Sequence, residues 1–383
     1  MTASKGADNV LKGLKVLDFS RYLPGPYASL RLAEWGAEVV NVETAPFGDP
    51  ARKMEPYLEE TGAVHLACNH GKKSLLVDIK TGKDLPVIHQ LLEKADVVIE
   101  SYRPGIADRI GIGYQKAKEL NPEIIYCSLS GYGQRGAMKQ MGGHDLNYMA
   151  VSGMLHGLAG HGGTLSVPDM TAADLAGGMA AAEAILAAYI HRLKTGEGAY
   201  LDISLVDALL SWQGVNNMMS QAEGRGTSLG EELRKVISYQ VYETKDGRFM
   251  ALGALEEKFW VNFCRTIGQE AWISYHRSPA SPGNPVYKEV QELFSQHDFS
   301  YWSRLAEKVD ACLTPVLTQT EALDHPLAKE RKALREVTFK EKRFHAVNAV
   351  PGRKATDASY IAELGEHSEE ILKDWLGVEQ PSS

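Results

Sequence analysis

Cysteine is scarce in this sequence of 383 residues, and no two of its four cysteines form a Cys-x-x-Cys pair. The four are widely separated: Cys68, Cys127, Cys264 and Cys312. Such spacing argues against a zinc site or a disulfide framework and favours a reducing compartment. Because neither end of the sequence contains a recognisable targeting signal, we expect a cytoplasmic protein with no metal site.

Positive charge and long apolar runs are also in short supply. The formal net charge is -8, which argues against a general binder of nucleic acids or anionic membranes. The most membrane-like stretch, residues 175–190, is short, contains Glu183 and is rich in Ala and Gly. It predicts a buried helix that packs closely against another backbone. The composition, 44% hydrophobic and 23% charged, is ordinary for a soluble globular enzyme, and the length favours two domains.

The N-terminal part alternates between apolar strands and helical segments. Predicted strands cover residues 16–19, 38–43, 74–79, 96–101 and 124–131, with a first helix at 24–34. This alternation is typical of an α/β fold with a parallel, doubly wound sheet, whose ligands bind beyond the carboxyl ends of the strands. Glu43 stands where dinucleotide-binding folds place an acid for the ribose. The Gly-x-Gly-x-x-Gly turn is missing, however, so NAD is disfavoured.

The C-terminal half follows a different pattern. After a helix that ends near Arg192 come a glycine turn, a strand and another helix, and then the polar stretch 220–235, which predicts a linker or an exposed loop. A hairpin is predicted around Asp246-Gly247, followed by aromatic-rich helices to about residue 308 and a strand at 310–317. These elements predict a second, smaller α+β unit.

Three stretches place ionisable groups at helix starts or beside apolar runs. His144 and Asp145 stand in MGGHDLNYMAVSG, Asp174 begins an Ala-rich helix, and Glu256 lies in ALGALEEKFW. Histidines and carboxylates serve as general acids and bases. Each residue also has a structural explanation, as a hydrogen-bonded histidine or as a carboxylate at a helix start. Taken singly, the residues leave both interpretations open.

Six segments occur together in an order that resembles one protein family. They read GLKVLDFSRYLPGPYASLRLAEWGAEVVNVE, NHGKKSLLVDIK, SYRPGIADRIGIGY, NPEIIYCSLSGYGQRG, KTGEGAYLDISLVDA and DACLTPVL. The set extends from Gly13 to Leu317 and is similar to the family III CoA-transferases (CaiB/BaiF type), which include the α-methylacyl-CoA racemases. No single segment is decisive, but the ordered set is highly specific.

The resemblance implies a two-domain subunit in an interlocked homodimer. A large Rossmann-like domain, residues 1–192, would be completed by about 330–383, with a linker at 193–235 and a small α+β domain at 236–329. Coenzyme A, as part of an acyl-CoA substrate, would lie against the large domain. The cationic side chains in the matching segments, which suit phosphate oxygens, are Lys72, Lys73, Arg103 and Arg109.

The same resemblance gives Asp174 a role in two reactions. In the transferases the matching aspartate attacks the thioester and forms an anhydride, whereas in the racemases it is an acid-base group. His144 and Glu256 match the racemase version, where the histidine faces the aspartate across the α-carbon and the glutamate orients the imidazole. The amide of Asp145, aided by the helix start near Asp174, would hold the enolate oxygen.

The sequence therefore favours a racemase of 2-methylacyl-CoA thioesters in fatty acid metabolism. It would need no metal or redox cofactor and would bind neither nucleic acid nor membranes. A CoA-transferase acting through Asp174 is the alternative. A CoA-binding relative without catalysis is a third hypothesis, disfavoured because His144, Asp174 and Glu256 are all retained.

Overall fold

The computed structural model describes residues 9–158, 164–352 and 359–377. The chain divides into two compact units. The first, which we call the large unit, contains the residues up to Trp212 and those from Pro326 onward. The second, the small unit, is Gln213–His325.

The first part of the large unit alternates strands and helices. Its strands are β1 (Lys15–Asp18), β2 (Glu38–Thr44), β3 (Tyr57–Leu58), β4 (Thr61–Gly62), β5 (Lys73–Val77), β6 (Val97–Glu100), β7 (Ile125–Ser130) and β8 (Ala199–Ser204). Its helices are α1 (Pro24–Glu34), α2 (Ala63–Asn69), α3 (Leu85–Lys94), α4 (Ile106–Arg109), α5 (Tyr114–Leu120), α6 (Asp145–Val151), α7 (Met154–Gly157), α8 (Ala172–Thr195) and α9 (Leu205–Trp212).

Six of these strands form one sheet in the order β5-β2-β1-β6-β7-β8, and all of its pairs are parallel. The predicted α/β fold with a parallel, doubly wound sheet is therefore confirmed. The winding reverses between β1 and β6, which makes the carboxyl ends of these two strands the switch point where ligands of such folds bind.

The strands are apolar because both faces of the sheet are covered. Val16 and Val97 belong to a core that contains residues of α1, α8 and α9, whereas their neighbours Leu17 and Val98 belong to a second core with residues of α3 and α5. Alternate residues of a strand point to opposite faces, so a doubly covered strand has a continuous apolar run.

Helix α8 contains the Ala-rich stretch that was expected to pack closely against another backbone. A Cβ atom on Gly178 would lie 2.6 Å from the carbonyl oxygen of Pro24 at the start of α1, so the two helices approach closely there. Among the described residues, α8 is the one helix whose length and apolarity would also suit a membrane span, a test that core helices pass as well.

The large unit extends beyond the boundary predicted near Arg192. The segment 193–235, predicted as a linker, contains the end of α8, all of β8 and α9, and part of the small unit. Strand β8 pairs with β7 from Ala199 to Ser204. Its residues Leu201 and Ile203 pack on the core. The strand predicted after the glycine turn is thus present, and it completes the sheet of the large unit.

The small unit is an α+β structure. Its elements are α10 (Gly214–Glu223), α11 (Leu229–Leu233), β9 (Tyr239–Glu243), β10 (Phe249–Gly253), α12 (Glu257–Thr266), α13 (Pro285–Ser295), α14 (Phe299–Ala306), β11 (Leu313–Pro315) and α15 (Gln319–Asp324). The strands form an antiparallel sheet in the order β11-β10-β9, and the predicted hairpin around Gly247 joins β9 to β10. Buried aromatic rings, including Trp260, Phe294 and Trp302, fill its core.

The C-terminal residues return to the large unit. They form α16 (Pro326–Glu330), β12 (Leu334–Phe339), β13 (Lys342–Val347), β14 (Ser359–Tyr360) and α17 (Ser368–Leu376). In α17, Ile371 and Trp375 are buried in the second core of the sheet. The Trp375 indole also donates a hydrogen bond to Glu38 at 3.1 Å.

Candidate active site

Two helix starts meet through the side chain of Asp145. Its Oδ1 accepts hydrogen bonds from the backbone amides of Ala173 at 2.7 Å and Asp174 at 3.0 Å, in the first turn of α8. His144 is the residue before α6 and is exposed. Its own amide donates to Asn147 Oδ1 at 3.0 Å. The structure therefore places His144 at the start of α6 and Asp174 at the start of α8. The Asp145 side chain connects these two helix starts.

Two glycines before His144 let the chain pass tightly over neighbouring side chains. A Cβ atom on Gly143 would lie 2.7 Å from the ring of Tyr148, whose hydroxyl donates to the Gly143 carbonyl at 2.6 Å. A Cβ atom on Gly142 would lie 3.0 Å from the Arg103 guanidinium. A larger residue at 143 would push the loop away from the Tyr148 ring, whereas at 142 the Arg103 side chain would have to shift slightly, so Gly143 is the glycine that positions His144.

Asp174 has the electrostatics of a group that changes protonation near neutral pH. Burial, and then the charge of Asp145, raise the pKa of Asp174 to about 7. A carboxyl group with a pKa near the working pH is suited to both giving and taking a proton. The capping role that the sequence offered for Asp174 belongs to Asp145 instead.

The first turn of α8 has no amide left for a substrate oxygen. The amides of Ala172 and Leu175 donate to carbonyl oxygens nearby in the chain, and those of Ala173 and Asp174 donate to Asp145. These amides are therefore engaged within the protein, and the aid of the positive end of the helix to an enolate stays a prediction. Within the described residues, the amide of Asp145 itself has no acceptor, as is usual for the first residue of a helix.

The four predicted phosphate-binding cations fall into two groups. Arg103 and Arg109 lie after the carboxyl end of β6, and both are exposed. Neither forms an ion pair with any residue that the structure describes. A guanidinium group without an ion-pair partner among the described residues, located after the carboxyl end of a strand, can bind a phosphate by donating hydrogen bonds to its oxygens.

Lys72 and Lys73 are occupied within the protein. The Lys72 side chain is 1% exposed, and its ammonium donates to Pro26 O at 2.8 Å and Asn69 Oδ1 at 2.9 Å and lies 3.5 Å from Asp18. Lys73 pairs with Glu38 at 2.8 Å and with Glu370 of α17. We correct the prediction accordingly: these lysines neutralise internal carboxylates and do not present a charge to a phosphate.

Sequence reasoning missed Arg21, which follows β1 at the switch point. Its guanidinium donates to Thr44 Oγ1 at 3.1 Å and to the Tyr102 hydroxyl at 3.3 Å, and it stacks over the Tyr102 ring. Its place directly after the first strand was the available signal, because ligands bind at carboxyl ends of strands.

A cleft of about 270 Å³ is lined by residues of β6, β7 and β8 and by Arg103. Glu100, the last residue of β6, lines it, with a hydrogen bond to Ser128 and the amide of Tyr102 donating to its carboxyl group at 2.8 Å. Burial raises the pKa of Glu100 to about 7. Tyr200 lines the same cleft. Among the described residues, no cluster of three or more His, Cys, Asp or Glu is arranged to hold a metal ion.

Two further acids, Glu256 and Glu43, were singled out from the sequence. Glu256 belongs to the small unit, where it is exposed at the start of α12 and makes no capping hydrogen bond. Glu43 is buried, and Arg52 holds it with two hydrogen bonds of 2.7 Å. The Glu43 carboxylate is therefore hydrogen-bonded inside the protein and is not placed to bind a ribose.

A Rossmann-like sheet with a histidine and a carboxyl group at two adjoining helix starts is compatible with a class of enzymes rather than one protein, and comparison identifies the family. Residues 11–368 match the model of CoA-transferase family III. The chain belongs to this family and is an enzyme of it. The human succinyl-CoA:glutarate CoA-transferase is 32% identical, over 96% of this chain and 86% of that protein.

A racemase matches at almost the same level. The mouse alpha-methylacyl-CoA racemase is 31% identical, over 96% of this chain and 93% of that protein. The crystal structure of a CAIB/BAIF family protein from Brucella suis superposes with a TM-score of 0.83 at 25% identity, covering 96% of this chain and all of that one. Relatives therefore include both reactions, and the residues of the site must distinguish them.

Proposed function

We propose that this enzyme inverts the α-carbon of 2-methylacyl-CoA thioesters. The observation that carries the proposal is the meeting of the His144 and Asp174 helix starts through Asp145. Inversion requires that one group removes the α-proton on one face and that another returns a proton on the other face. An imidazole and a carboxyl group can exchange these roles, one for each handedness of substrate.

The proton transfer proceeds through an enolate. The first group takes the α-proton, and the electron pair of the C–H bond moves onto the thioester oxygen. The second group then gives a proton to the carbon from the opposite side. We propose the amide of Asp145 as a donor to the enolate oxygen and Glu256 as the group that orients His144. No electron leaves the substrate, so the reaction as proposed needs no redox cofactor.

The pKa of Asp174 suits an acid-base role. A group with a pKa of about 7 is divided between its two forms at neutral pH, as required of a residue that must act in both directions. The carboxylate form present at the same pH is also the form that attacks a thioester, so this pKa is compatible with both reactions. Because a CoA-transferase is among the relatives, the transferase reaction is the second candidate function.

We propose that coenzyme A phosphates bind Arg103 and Arg109, and that the acyl chain lies on the apolar surface around α6. Met141 is 58% exposed and Val151 is 52% exposed there, whereas Met149 is buried core. Exposed apolar side chains in contact with a site are suited to an acyl chain.

The function is tested by incubating the protein with one enantiomer of a 2-methylacyl-CoA in deuterium oxide. We expect α-deuteration and loss of handedness without any acceptor. A new thioester that forms only after a free carboxylate is added would identify a transferase. Binding of the thioester with neither change would leave a CoA-binding protein.

We also propose that the chain forms an interlocked homodimer. Trp212 at the end of α9 is 52% exposed, and Val215 and Met218 in α10 are 59% and 58% exposed. Large apolar side chains that are exposed, here close together along the chain, are suited to an interface. Sedimentation equilibrium should give about twice the 42.0 kDa mass of one chain. The mass of a single chain at micromolar concentration would contradict the dimer.

A further inference from the structure

The side chain of Asp145 has two effects that its neighbours do not share. Its Oδ1 takes both free amides in the first turn of α8, which fixes the backbone of Asp174 itself. Its negative charge also remains beside the Asp174 carboxyl group. The Asp145 carboxylate therefore affects Asp174 in two ways: it holds the Asp174 backbone in place, and its negative charge lies near the Asp174 carboxyl group.

We propose that Asp145 is a positioning residue for Asp174: it fixes the first turn of α8, and its charge adds to the burial of the Asp174 carboxyl group in favouring a proton there at neutral pH. The inference rests on the proposed function, because a retained proton matters only if Asp174 must donate one. The backbone amide of Asp145 is a separate group, and its proposed contact with the enolate oxygen is independent of this role.

Two other groups that interact with Asp174, a phenol and a thiol, are neutral at pH 7. On α6, burial raises the pKa of Tyr148 to about 12, and on α2, burial raises that of Cys68 to about 12. Both interact with the charge of Asp174. Charged side chains on the other elements packed against α8, none of which contributes to the shift of Asp174, are Arg31, Glu34, Asp202 and Asp207. Among the described residues, Asp145 is thus the one charged group that adds to the effect of burial in raising the pKa of Asp174.

Three variants separate the two effects of Asp145. Asp145→Asn retains an oxygen that can accept the two amides but removes the charge, whereas Asp145→Ala removes both. Asp169→Asn is the matched control, because Asp169 is an exposed carboxylate five positions before Asp174 that does not contribute to its shift.

The first measurement is the pH dependence of α-proton exchange. For the enantiomer to which Asp174 donates the proton, we expect the alkaline limb of the profile, where Asp174 loses that proton, to move to lower pH with Asp145→Asn, by about one unit for loss of a charge at close range. With Asp169→Asn the limb should stay in place. Asp145→Ala should move the limb and also lower the unfolding temperature. If Asp145→Asn has the wild-type limb, Asp145 is only a helix cap and the inference fails.

The second measurement does not depend on activity. Because the folded-state pKa of Asp174 is raised from 3.8 to about 7, the wild type should lose stability relative to Asp174→Asn as the pH rises between these values, and the difference should level off above 7. In the Asp145→Asn background, the levelling should occur at lower pH. An unchanged pH window overturns the inference, whereas absence of exchange in the wild type at every pH overturns the proposed function instead.

Discussion

Asp174→Asn should reduce inversion of a 2-methylacyl-CoA by about 1,000-fold, because an amide neither takes nor gives the α-proton. The same variant should be more stable than the wild type above pH 7, by about 2 kcal/mol, since the wild type must hold a partly buried carboxylate there. Chiral analysis of the product and urea unfolding at pH 5 and pH 8 measure the two effects. A stable, inactive variant would separate catalysis from folding.

His144→Ala should lose inversion to a similar extent, because the second face of the α-carbon then has no acid or base. Each single variant keeps one group, so slow deuterium exchange without inversion should persist for the enantiomer whose proton faces that group. His156→Ala is the matched control, since His156 is an exposed histidine in the next helix. If His144→Ala inverts the substrate at the wild-type rate, the assignment of two bases is wrong.

The sheet could be predicted because each of its strands is recognisable from its own local sequence. Runs such as those around Val16 and Val97 are apolar on both faces, and each is followed by a helical segment. The extent of the large unit could not be predicted in this way. Strand β8 belongs to it only because Leu201 and Ile203 reach the core, which depends on pairing with β7, more than sixty residues earlier in the chain.

The candidate site, like the fold, could be predicted from the sequence only in part. His144 and Asp174 could be selected from their segments, but the link between them is the Asp145 side chain, which contacts amides 28 and 29 positions away. No local pattern marks a carboxylate that caps a distant helix. The same holds for the two lysines of NHGKKS, which look alike in sequence and differ in burial once the chain is folded.

Lys72→Ala should lower the free energy of unfolding by about 3 kcal/mol or more, because it would leave Asp18 as a buried charge without its cation. Arg103→Ala should have almost no effect on stability, since Arg103 is exposed and forms no ion pair among the described residues. It should instead raise the KM for the acyl-CoA about tenfold, through loss of a charge-assisted hydrogen bond to a phosphate. Urea unfolding and steady-state kinetics on both variants make the comparison.

Lys73→Ala is the control for charge. Lys73 pairs with Glu38 and Glu370, but these partners are partly exposed, so water replaces the lysine and the loss of stability should stay near 1 kcal/mol or below. The order of destabilisation, Lys72 well above Lys73 and Arg103 least, follows from burial alone. If Lys72→Ala is as stable as the wild type and binds the thioester more weakly, Lys72 contacts the phosphates after all and its internal role is secondary.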